Sequence, residues 1–67
     1  MDKKEFMRKA IKEIRLDIRT MKRFADKGDY EMYGHMFTVI NAKVSFLFAT
    51  EMITRNQFFM LSRIINK

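Results

Sequence analysis

The sequence predicts an all-α fold: an antiparallel three-helix bundle of two long helices and one short one, paired into a dimer. Three observations point there. The 67-residue chain has no Pro and only two Gly, Gly28 and Gly34, so little interrupts a helical run. Its apolar residues recur at alternating spacings of four and three, the signature of a helical seam. Its charge is segregated: the stretch from Lys3 to Lys27 holds most of the positive charge, whereas Met32 to Thr50 carries one formal charge, Lys43. A chain this short buries only about 60% of its unfolded surface, too little to wrap a nearly uncharged helix on all sides. Part of that helix should therefore face a partner.

Helix 1 is expected over about Lys3 to Lys27. Asp2 is a good N-cap, and Glu5 three residues on gives the capping-box-like D-K-K-E. The seam is Met7, Ile11, Ile14, Ile18, Met21 and Ala25, widened by Ala10 and Phe24. Gly28 then supplies the left-handed residue that ends a helix without steric cost. Helix 2 is expected over about Tyr30 to Glu51, capped by Asp29. Its seam is Tyr33, Phe37, Ile40, Val44 and Leu47. A second row, Met32, Val39 and Phe46, widens the face, as a middle helix touching two neighbours requires. The far side is small: Gly34, Thr38, Asn41, Ser45 and Ala49. It is either the solvent face or a surface for close helix approach.

Helix 3 is expected over about Arg55 to Asn66. Thr54 and Gln57 make a capping box, and Ile53 and Phe58 have the hydrophobic-staple spacing. Phe58, Leu61, Ile64 and Ile65 should face inward. Links this short make neighbouring helices antiparallel, and residues 1–67 form one helical domain. Helix 3 spans only about 18 Å at 1.5 Å per residue, about half of helix 2. It is therefore expected to leave one end of the helix 1–helix 2 groove open, exposing Met21, Phe24, Tyr30, Met32, Tyr33 and Met36. An apolar patch of that size marks an interface. A second copy of the chain would cover Met21, Phe24, Met32 and Met36.

Composition excludes several classes. There is no Cys, hence no disulfide, thiolate nucleophile or Cys-based metal site, which fits a reducing, cytoplasmic setting. The N-terminal MDKKEF lacks the apolar core of a signal peptide. Met32–Thr50 approaches the length of a membrane span, but His35, Asn41, Lys43 and Ser45 interrupt it, and a mid-span Lys costs about 2.5–3.5 kcal/mol. No integral span is expected. Heavy use of Met, Ile, Lys, Phe and Asn is the residue usage of AT-rich DNA and hints at a phage or mobile element.

No catalytic constellation is present and no cofactor is expected. His35 is the single histidine. Glu31 and His35 stand at i, i+4, but two ligands do not make a metal site. Asp26, Asp29 and Glu31 crowd one turn without EF-hand spacing. The pattern that carries function is cationic. Arg8, Lys12, Arg15, Arg19 and Lys22 repeat the four-three spacing of the seam, rotated beside it, and form a rail about 20 Å long. Lys12, Arg15 and Arg19 have no acidic residue at i±3 or i±4, so helix pairs do not neutralise them. With a net charge of +6, the row is either a solvated border of the core or a docking rail for acidic protein or nucleic acid.

The expected function is non-enzymatic: a small interaction protein that occludes or regulates a macromolecular partner through an apolar and basic helical surface. The alternative is a nucleic-acid-binding accessory protein that grips phosphates with helix 1. Helix 2–turn–helix 3 superficially resembles a helix-turn-helix headed by Arg55, Asn56 and Gln57. Ile53 stands where that turn wants Gly, and Ser62 where it wants an apolar residue. Binding to a membrane surface is a third class, disfavoured by the absence of Trp.

Overall fold

The computed structural model describes residues 2–67. Met1, the first residue of the expected domain, lies outside them. Three helices follow in order: α1 (Lys3–Asp26), α2 (Tyr30–Ala49) and α3 (Arg55–Ile65). Among the described residues there is no strand. Asp17 on α1 meets Lys43 on α2, while Arg15 and Lys22 on α1 meet Met60 and Lys67 at the far end of the chain. The last two contacts advance in step, so α1 and α3 run parallel and α2 returns between them. The Cα envelope measures 39 × 20 × 15 Å. The long dimension is close to that of α1 itself, about 36 Å at 1.5 Å per residue.

Each helix begins at its expected cap. The Glu5 N–H donates to Asp2 Oδ1 at 2.8 Å and the Met32 N–H to Asp29 Oδ1 at 3.2 Å. Thr54 and Gln57 close the full box: the Thr54 N–H donates to Gln57 Oε1 at 2.8 Å, and the Gln57 N–H to Thr54 Oγ1 at 3.2 Å. Donors that would otherwise be orphaned at each start are thereby satisfied.

Both long helices stop in the same way, and only one of the stops has glycine. At the end of α1, Gly28 takes φ 80°. Its N–H bonds to Ala25 O, and the Asp29 N–H reaches back to Phe24 O. At the end of α2 the identical pair forms, Glu51 N–H to Phe48 O and Met52 N–H to Leu47 O, around Glu51 at φ 59°. A carboxylate residue thus holds the left-handed position that glycine usually fills. This turn ends α2 at Ala49, two residues short of the expected Glu51. It drops Ile53 into the core, 4% exposed.

The core is apolar throughout. Ile14, Ile18 and Met21 of α1, Ile40, Val44 and Leu47 of α2, Ile53 of the turn, and Leu61 and Ile65 of α3 are buried. No buried polar or charged side chain occurs among the described residues. Phe58 stacks on Phe48 with ring centroids 4.5 Å apart, which ties α3 to the flank of α2.

Two sequence expectations are corrected here. Met21 is fully buried at 0% exposure and belongs to the core, not to an open end. The reason is the axial placement of α3: it lies beside α1 as far as Lys22, whose ammonium reaches Lys67, so it shields Met21 despite its shortness. The second apolar row of α2 does not meet α3 either. Met32 and Val39 are 40% exposed and Phe46 68% exposed. The aromatic contact to α3 is made from the other flank of α2, through Phe48.

Candidate functional site

The cationic row of α1 borders the groove between α1 and α3. These two helices approach each other sparsely, whereas α2 packs against both. The result is an open trough of about 530 Å³, which continues into a second depression of about 470 Å³. Arg8, Lys12, Arg15 and Arg19 line the first, with Ile11 and Leu16 from α1 and Gln57 and Met60 from α3. Arg15, Arg19 and Lys22 line the second, with Ile18 and Ile64. All five expected cations therefore share one groove, and no carboxylate lines either part of it. The facing helix is also free of acid, since Arg55–Ile65 contains no Asp or Glu.

Their environments differ in detail. The Arg15 guanidinium Nη2 lies 3.6 Å from Met60 Sδ. The Lys22 ammonium donates to the main-chain oxygen of Lys67 at 3.2 Å, just past the carbonyl end of α3, where a cation is favourable. Lys22 thus serves the fold as well as the rail. None of the five forms an ion pair among the described residues, whose single ion pair is Lys43–Asp17 at 3.4 Å on the opposite side of α1. Leu16 sits within the cationic groove and is 49% exposed. Sequence reading found the cations by their spacing but passed over Leu16, which lies off the main seam.

The other expected surface is reshaped. With Met21 in the core, the remaining members lie along the α1–α2 groove on the side away from α3. Met32 is exposed, and Phe24 and Met36 are half-buried. The strip continues through Val39 and Phe46 to Phe6, which is 44% exposed. Shallow hollows of about 240 and 230 Å³ lie along it, on either side of Asp17 and Lys43. On the outer side of α2, Thr38 Oγ1 and Asn41 Nδ2 donate to the carbonyls of Gly34 and Phe37, one turn back. Those donors are spent on their own helix.

The structure offers no counterpart to the helix-turn-helix comparison. α2 and α3 pack antiparallel, and Gln57 is engaged in the cap and the α1–α3 groove. Asp29, Glu31 and His35 border one hollow. Even so, no group of three or more His, Asp or Glu able to hold a metal exists among the described residues. No helix among them is long and apolar enough to cross a membrane. No protein-family model, curated protein or solved structure matches this chain.

Proposed function

We propose that this protein is a non-enzymatic interaction module. It captures an acidic, partly apolar segment of another protein in the α1–α3 trough and so occludes or regulates that partner. The observation that carries the reading is the joint lining of one open groove by Arg8, Lys12, Arg15, Arg19 and Lys22 with no carboxylate opposite. Unpaired cations at an open rim steer an acidic partner and set its register. The exposed Leu16 among them favours a protein over a bare phosphate chain, because it offers apolar area that phosphates cannot use. We further propose that the protein acts as a homodimer. A cytoplasmic setting and a phage or mobile-element source rest on composition alone: no Cys, and abundant Met, Ile, Lys, Phe and Asn.

The test uses two labelled probes, an amphipathic helical peptide with Leu on one face and Glu on its flanks, and a short DNA duplex. The peptide should bind more tightly. Its affinity should fall about 3–10-fold in Leu16→Ala, since Leu16 has about half of a full Leu burial, 1.5–3 kcal/mol, still to gain. Tighter binding to DNA, with log affinity falling linearly against log salt, would replace this reading with phosphate recognition by the same rail.

A further inference from the structure

The apolar strip on the α1–α2 groove is the second unexplained surface of the molecule, and we infer that it is where two copies of the chain meet. The inference rests on the dimeric reading above and adds the location of the contact. Phe46, Phe6, Val39 and Met32 are exposed along one flank. Taking about 200 Å² for a whole aromatic side chain, they present on the order of 350 Å² of apolar surface. That is a full-sized patch for a monomer of any length, here on a 67-residue chain. Two such patches give about 700 Å² of apolar contact, which is the usual non-polar share of an interface of about 1,200 Å², the lower bound for a stable one, and the half-buried Phe24 and Met36 lie at their margins.

Charge decides in favour of a second copy. The protein carries +6, so two copies repel wherever their cations face each other. The hollows of this strip are bordered by Glu13, Asp17, His35 and Lys43, Lys43 is already paired to Asp17, and Lys27 lies over Phe24 at the margin. The strip is thus neutral to slightly acidic within a basic molecule, and like-charged copies can approach there. An acidic partner would go to the opposite trough. The spacing is also self-complementary. Met32, Val39 and Phe46 are separated by seven residues each, so an antiparallel two-fold contact sets Val39 against its own counterpart and Met32 against Phe46. An isologous interface has that property. The contact leaves the cationic trough free, because trough and strip lie on opposite sides of α1.

Sedimentation equilibrium of the full chain tests this. The parent protein should be a dimer, and Phe46→Glu should raise its dissociation constant at least about 100-fold, because two charges would be buried in one apolar contact. Leu16→Glu, on the other side of α1, should leave the dimer unchanged. The native chain lacks Cys, so a single Val39→Cys gives an independent readout. On oxidation it should form a disulfide-linked dimer much faster than Phe59→Cys, which is exposed on α3. A dimer indifferent to Phe46→Glu and to the position of the Cys would overturn this location while sparing dimerisation. A parent protein still monomeric at about 1 mM, where association would be worth under about 4 kcal/mol, would overturn both. A monomer that floats with anionic vesicles would assign the strip to a lipid surface and also overturn the inference.

Discussion

Replacing Glu51 by glycine should stabilise the protein. Glu51 holds φ 59° at the end of α2. A residue with a Cβ pays about 1–2 kcal/mol in that region. Glycine removes this cost but returns about 0.4–1 kcal/mol through the greater freedom of the unfolded chain. The net gain is about 0.5–1 kcal/mol. Loss of a carboxylate beside the negative end of α2 adds to it in the same direction. For a chain of this length the midpoint of thermal unfolding should rise by about 3–6 °C, followed by far-UV circular dichroism. Glu51→Gln separates the two sources, since it removes the charge but keeps the backbone cost. Gly28→Ala is the mirror control. It forces a Cβ onto φ 80°, and the added atom meets nothing within 4 Å, so any loss is a backbone effect. By the same balance of backbone cost and unfolded-chain freedom, that loss should be about 0.5–1 kcal/mol. If Gly28→Ala destabilises while Glu51→Gly leaves the midpoint unchanged or lower, the account of the α2–α3 turn fails.

Three further outcomes are expected. Arg15→Glu combined with Arg19→Glu should change unfolding free energy by less than about 1 kcal/mol, since both side chains are exposed and form no ion pair, while abolishing capture of the acidic peptide. Collapse of the fold in urea titrations would show that the row is structural. Thr54→Ala should cost about 0.5–2 kcal/mol through loss of the α3 cap, with urea midpoints as the measure. Met21→Ala should cost about 2–5 kcal/mol as a core deletion, equally at low and high protein concentration. A cost that vanishes on dilution would return Met21 to an interface.

The elements were legible because their signals are local. Asp2, Asp29 and Thr54 mark three starts, Gly28 marks one stop, and the four-three seams name Ile14, Ile18, Ile40, Val44 and Leu61 as core. The cationic rail was legible for the same reason, since one helix supplies all of it. What one helix does not supply was harder to read. α2 has apolar groups on both flanks, Phe37 and Phe48 on one and Val39 and Phe46 on the other. Periodicity alone does not say which flank receives α3. The burial of Met21 depends on how far α3 slides along α1, and that distance is set by a left-handed Glu51 that carries no glycine signal. The trough itself required both facts, because its second wall is Gln57, Met60 and Ile64.

The sparse meeting of α1 and α3 has a mechanical corollary. Each wall of the cationic channel packs chiefly on α2 and only sparsely on the other, so a guest of the proposed kind would widen it without parting the oily seams on α2. Two exposed contacts, Arg15 to Met60 and Lys22 to Lys67, cross it. A guest's carboxylates would compete for those same two cations and release both contacts.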